Sequence, residues 1–158
     1  MSYSMEHAIA CAGVIKKSAK IPVMIYAFGS CTRGGGANDV DLLLEVDCDT
    51  FDNYLHQVTT HGIHAQLKTV VDPDDEFWSY FSPTVERSKL ALGCLGIDTR
   101  TWGKELNALV PIDDIDLICL PSNWRDQKTE IRRKLDASVR QHDQQFFSRL
   151  ENTAKLAV

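Results

Sequence analysis

The sequence predicts an α+β fold in which helices flank a β-sheet. Three apolar segments have the length and composition of buried strands: Val23–Phe28, Asp39–Val46 and Ile115–Leu120. Segments with helical apolar stripes stand before, between and after them. The chain has 158 residues, 44% of them hydrophobic and 25% charged. These values suit one core, so we expect residues 1–158 to form a single domain.

The first helix is predicted from Ser4, a typical N-cap residue, to about Ala19. Its apolar side is expected to contain Ile9, Ala12, Val14 and Ile15. Pro22 then introduces the first strand, which ends at a Gly-Ser pair. A glycine-rich turn connects this strand to the second one.

The middle of the chain alternates between further helical and extended patterns. We predict a helix over residues 50–60, a strand over 63–71 and an acidic turn at 72–76. Another helix is expected over 82–93, where Ser-Pro begins it and glycine ends it. The stretch 96–107 is expected to be irregular.

The last strand ends at Pro121, and a C-terminal helix is predicted from about residue 126 to 150. One face of this helix is apolar, with Ile131, Leu135, Val139, His142, Phe146 and Leu150. We expect that face to pack on the sheet or on a partner chain.

Composition excludes several classes of protein. The net charge of −5 argues against a protein that grips a nucleic-acid template, because such proteins neutralise phosphates with a basic stripe. The sequence has no apolar run long enough for a membrane span and no signal-peptide pattern, so a cytoplasmic location is expected. The five cysteines have no C-x-x-C spacing, and reduced, mostly buried thiols are expected. The lone pair His61 and His64 is not expected to bind zinc.

The second strand places two carboxylates on one face. Alternation along a strand puts Asp39 and Asp41 side by side, about 7 Å apart, opposite a fully apolar face. Two neighbouring carboxylates repel each other unless a cation lies between them. Because hard oxygen ligands suit Mg²⁺ or Mn²⁺ better than zinc, the pair indicates a divalent metal site.

The turn before that strand has the features of a phosphate site. Gly29 and Ser30 end the first strand, and three glycines at 34–36 allow a tight backbone path whose N–H groups can hold phosphate oxygens. Arg33 adds a planar cation suited to phosphate. A phosphate site thus precedes a metal site by about ten residues, and a metal–nucleotide complex needs both at once.

This joint pattern resembles the G-S-x(n)-D-x-D signature of the polymerase-beta-like nucleotidyltransferase superfamily, and the chain length is similar to that of its minimal members. The resemblance covers residues 23–46. It implies a mixed sheet, a Gly-Ser turn that holds the triphosphate, and aspartates that bind two Mg²⁺ ions together with a third carboxylate. It also implies transfer of a nucleoside monophosphate, with AMP from ATP expected, to a hydroxyl.

The third carboxylate is predicted at Asp116, inside the last apolar strand. Asp114 shares its face by two-residue alternation and is the second choice. If the strand over 63–71 occupies the third position instead, the site lacks a ligand, because that strand reaches an acid only at Asp72.

The resemblance leaves the acceptor open between a small molecule and a protein hydroxyl. It implies as a possible partner a small helical protein of the HEPN type, with which minimal members form toxin–antitoxin pairs. An alternative is a catalytically lapsed member of the same fold that binds nucleotide or a partner without turnover.

Overall fold

The computed structural model describes residues 2–34, 36–53, 92–93, 95–129, 132 and 154–155. Predictions for residues 54–91 and most of 130–150 lie outside the described residues; they include the strand over 63–71, the acidic turn and the His61/His64 pair. The helices predicted over 50–60 and 82–93 are described only at residues 50–53 and 92–93, which are helical. The described part is α+β with a small mixed sheet, as the sequence predicted. Its elements are α1 (Met5–Ser18), β1 (Met24–Phe28), β2 (Val40–Val46), α2 (Gly103–Leu109), β3 (Ile115–Pro121) and β4 (Ala154–Lys155).

The sheet has the strand order β3-β2-β1-β4. β1 is antiparallel to both β2 and β4, whereas β2 and β3 are parallel. Because of these directions, the end of β1 and the starts of β2 and β3 lie at the same edge of the sheet. The turn that follows β1 and the acidic residues that open β2 and β3 are therefore brought to one place.

One face of the sheet packs against α1. The helix has a row of buried, mostly small side chains at Ala8, Cys11, Ala12 and Ile15. Small residues allow a helix to lie close to a sheet, whose facing side here is the buried row Val40, Leu42, Leu44 and Val46. Ser4 caps α1 as predicted, but Ile9, which we placed on the apolar side, is 43% exposed.

The opposite face of β2, which bears Asp41, is also buried farther along the strand. Leu43 is fully buried, and the Glu45 carboxylate accepts a hydrogen bond from Trp124 Nε1 at 2.5 Å and another from Arg125. The Arg125 guanidinium lies 5.0 Å from the Tyr26 ring centroid and 4.5 Å from that of Trp124. A buried carboxylate needs such donors, so this cluster closes the end of the sheet far from the aspartates.

Two predictions were wrong, one about a whole segment and one about where a helix begins. Residues 96–107, expected to be irregular, contain a 3₁₀ helix at Thr99–Trp102 and then α2. Trp102, Leu106 and Val110 are buried at helical spacing, and Trp102 Nε1 donates to the Val110 carbonyl at 3.0 Å. This periodicity was present in the sequence, but Gly103, directly after Trp102, makes it look like a loop.

The helix predicted from residue 126 does not begin there. Residues 127–128 form a turn, in which Asp126 accepts from the backbone N–H of Lys128 at 2.9 Å. The Thr129 hydroxyl accepts from the backbone N–H of Arg132 at 3.3 Å, a contact typical of an N-cap. An aspartate side chain can bond backbone N–H groups in a turn as well as at the start of a helix, and Asp126 lies in a turn.

Among the four described cysteines, Cys11, Cys31 and Cys119 are buried and Cys48 is exposed, all as free thiols. The prediction of mostly buried, reduced cysteines is confirmed for this part of the chain. None of the described helices is long and apolar enough to cross a bilayer.

Candidate metal centre

Three carboxylates meet where β2 and β3 begin. Asp41 and Asp116 are direct register partners on the two parallel strands, and Asp39 stands in the bend just before β2. Each of the three offers one oxygen, and these oxygens all lie within 4.8 Å of one another. The oxygens lie closer together than the roughly 7 Å that separates the backbones of residues i and i+2 in a strand. Such a group of half-buried carboxylates is suited to a divalent cation.

Burial and the closeness of the three carboxylates raise the pKa values of two of them. Burial, together with the negative charges of Asp39 and Asp116, raises the pKa of Asp41 to about 8. Burial and the charge of Asp39 raise the pKa of Asp116 to about 6. The Asp41 and Asp116 side chains share a hydrogen bond, so one proton can lie between them near neutral pH. A divalent ion would replace that proton as the compensating charge.

The turn after β1 lies directly against this group. Gly29 has φ 74° and ψ −160°, a conformation essentially restricted to glycine. A Cβ atom at Gly29 would collide with the Asp41 carboxylate. Glycine is thus needed here on two independent grounds, and the Gly29 backbone forms one wall of the carboxylate group.

The remaining residues of the turn are held by local contacts. Residues Ser30–Thr32 form one 3₁₀ turn, in which the Thr32 hydroxyl donates to the Gly29 carbonyl at 2.7 Å. The buried Cys31 thiol donates to the Phe28 carbonyl at 3.4 Å and anchors the turn to β1. Arg33 ends the turn, is exposed, and its positive charge acts to lower the pKa of Asp41.

The structure also separates the two choices for the third carboxylate. β3 begins at Ile115, so Asp114 is not in the strand but in the 3₁₀ helix Ile112–Asp114. There its carboxylate accepts a hydrogen bond from the Tyr3 hydroxyl. Asp116 therefore joins Asp39 and Asp41, and Asp114 does not.

Two residues that support the site by hydrogen bonds, Tyr3 and Cys31, were not among the predicted site residues. Tyr3 lies 111 residues from Asp114 in the chain, and no local pattern links the two. Cys31 could have been noticed as the only strongly apolar residue inside an otherwise small and polar turn.

Comparisons with protein-family models, with curated proteins and with solved structures gave no significant match to this chain.

Proposed function

We propose that this protein is a divalent-metal-dependent nucleotidyltransferase of the minimal type. It would move AMP from ATP to a hydroxyl of a small molecule or of a partner protein and release pyrophosphate. The observation that supports this most is the convergence of Asp39, Asp41 and Asp116, from two strands, beside the Gly-Ser turn. The resemblance rests on residues 23–46, whereas Asp116 lies 70 residues beyond them, so its arrival at the site is independent support.

The donor set fits the proposed metal. Asp39, Asp41 and Asp116 would hold Mg²⁺ or Mn²⁺ through carboxylate oxygens, which these hard ions prefer. When bound, the metal would neutralise charge on the phosphates and lower the pKa of the attacking hydroxyl.

The protein's own groups have separate tasks in this proposal. The Gly29–Ser30 backbone, which at Gly29 lies directly against the Asp41 carboxylate, would offer N–H groups to the phosphate oxygens of a nucleotide whose metal the carboxylates hold. Arg33, an exposed cation at the end of the turn, would orient the phosphates. Asp116 would take the proton of the acceptor hydroxyl.

The alternative is a lapsed nucleotidyltransferase fold that binds nucleotide or a HEPN-type partner without turnover. Its main support in the sequence is the uncertain position of the third carboxylate. An Asp116 oxygen lies within 4.8 Å of an oxygen of each of the other two acids, which supports the active form over the lapsed one.

Label transfer tests the proposal. The protein is incubated with α-labelled ATP and Mg²⁺, with and without an extract that supplies small-molecule and protein acceptors. We expect metal-dependent movement of label, abolished in Asp39→Asn and in Asp41→Asn but retained in Asp113→Asn, an exposed acid near the start of β3. Metal-dependent ATP binding without transfer would support the lapsed alternative, and neither binding nor transfer would overturn both.

A further inference from the structure

The segment that precedes α1 connects the two loops leading into the acid-bearing strands. The backbone N–H of Tyr3 donates to the Ala37 carbonyl at 2.8 Å, and the two residues form an isolated antiparallel bridge. The Tyr3 hydroxyl donates to the Asp114 carboxylate. Ala37 stands two residues before Asp39, and Asp114 stands two residues before Asp116. Tyr3 therefore contacts both segments that lead into the acid-bearing strands, one through its backbone and the other through its side chain.

Packing keeps Tyr3 in this position. Its side chain is 1% exposed, and its ring meets the His7 ring edge-on with centroids 5.3 Å apart. Its neighbour Ser2 lies so close to Gly36 that a Cβ there would come within 2.8 Å of the serine oxygen. The hydrogen bond to Asp114 and burial raise the pKa of Tyr3 to about 12, so the hydroxyl remains a donor at neutral pH.

The sheet by itself does not fix all three carboxylates. The paired register of β2 and β3 begins at Val40 and Ile115, so it holds Asp41 and Asp116 but not Asp39. Asp39 precedes the first paired residue and needs a contact outside the ladder. Tyr3 supplies one at Ala37 and connects it to the start of β3.

We propose that Tyr3 is a positioning residue that sets the distance of Asp39 from Asp41 and Asp116 through its bonds to Ala37 and Asp114. The inference rests on the proposed function in one respect, that the three carboxylates hold a divalent ion. Residues that hydrogen-bond and orient metal ligands typically change metal affinity by about 10–100-fold when they are altered, and Tyr3, which acts one contact further from the ligands, is expected at the lower end of that range.

The test compares Tyr3→Phe, which removes only the hydroxyl, with Tyr26→Phe as a matched control. Tyr26 also bears a bonded hydroxyl on the sheet, toward Glu45 and Arg125 instead of the carboxylate group. We expect Tyr3→Phe to weaken Mn²⁺ binding about tenfold in a titration of the full chain. Tyr26→Phe should leave the affinity unchanged.

Two variants of Asp114 separate the hydrogen bond from the charge. Asp114→Asn keeps an oxygen acceptor for Tyr3 and should bind Mn²⁺ nearly as well as the wild type, whereas Asp114→Ala should match Tyr3→Phe. Adding Tyr3→Phe to Asp114→Ala should then cost nothing further. Equal Mn²⁺ affinity in the wild type and Tyr3→Phe would overturn the inference.

A measurement on the metal-free protein distinguishes failure of the Tyr3 proposal from failure of the proposed function. In the metal-free protein, Tyr3→Phe should speed hydrogen exchange of the amides over 39–41 and 115–117, and Tyr26→Phe should not. Unchanged exchange at both segments would overturn the role of Tyr3 whatever the metal does. Failure of the wild type to bind Mn²⁺, with faster exchange in Tyr3→Phe, would overturn the proposed function alone.

Discussion

Asp41 and Asp116 occupy the same register position on neighbouring parallel strands, so the sheet itself sets two carboxyl groups side by side. Each of the two has a raised pKa, and they share a hydrogen bond. In the absence of a cation, this pairing opposes folding once both groups are ionised.

The unfolding free energy of the metal-free protein should depend on pH through these two groups. The folded-state pKa values of Asp41 and Asp116 lie above those of the unfolded chain, so the folded protein binds protons more tightly. The stability they contribute is complete below about pH 4 and is lost as pH rises through about 6 and then 8. In urea unfolding with a chelator, we expect this contribution to decline between pH 5 and 8. The slope should be smaller in Asp41→Asn, and an equal slope in both proteins would contradict the assignment.

Substitution of Asp41 should have opposite effects with and without metal. In chelator at pH 8, Asp41→Asn should raise the thermal midpoint, because it removes a charge from a crowded group. Added Mg²⁺ should raise the midpoint of the wild type and not that of the variant. A lower midpoint of the variant in chelator would show that the carboxylate stabilises the metal-free fold.

The wild-type response to Mg²⁺ should itself depend on pH. Metal must displace the proton held by Asp41 and Asp116, so the midpoint shift should be larger at pH 8 than at pH 6. Calorimetry in two buffers of different ionisation heat would measure the released protons. Binding without proton release at pH 6 would place the ion elsewhere.

Gly29 and Gly34 offer a matched pair of substitutions. Both have positive φ, but only at Gly29 would a Cβ strike the Asp41 carboxylate, whereas nothing lies within 4 Å at Gly34. We expect Gly34→Ala to cost about 1–2 kcal/mol of unfolding free energy from conformation alone. Gly29→Ala should cost about 3 kcal/mol and also abolish Mn²⁺ binding. Equal losses in stability and retained Mn²⁺ binding would contradict the close approach of this turn to the site.

Substitutions of Glu45, in the cluster at the other end of the sheet, should lower the unfolding free energy without changing the affinity for metal. Glu45→Ala would leave Trp124 and the partly exposed Arg125 without their shared acceptor, at an expected cost of about 2 kcal/mol. Glu45→Gln keeps an acceptor oxygen and should cost less. Mn²⁺ titration of both variants should match the wild type, and a weakened affinity would mean that the two ends are coupled.

Much of the sheet was predictable because its strands are apolar runs bounded by strong local signals. β1 follows Pro22 and stops at Gly29, and β3 stops at Pro121, so predicted and observed boundaries differ by at most one residue. α1 was placed correctly by Ser4. The 3₁₀ helix and α2 were not predicted because Gly96 and Gly103 are loop signals, and they outweighed the helical spacing of the buried residues Trp102, Leu106 and Val110.

The site was only partly predictable for a different reason. Two-residue alternation assigns Asp114 and Asp116 to the same face, so strand pattern alone does not choose between them. The choice follows from where β3 begins and from the hydroxyl of Tyr3, which bonds Asp114 across 111 residues. Long-range contacts of this kind leave no periodic trace in a sequence. The metal and catalytic roles of the three aspartates remain predictions.

The most direct measurement is the position of a bound ion. Crystals grown with Mn²⁺ and a non-hydrolysable ATP analogue would locate the metal by its anomalous scattering. We predict a Mn²⁺ peak coordinated by Asp39, Asp41 and Asp116, with the phosphates of the analogue beside Gly29 and Ser30. A bound analogue with no metal at these three carboxylates, or with its phosphates elsewhere, would contradict the central claim.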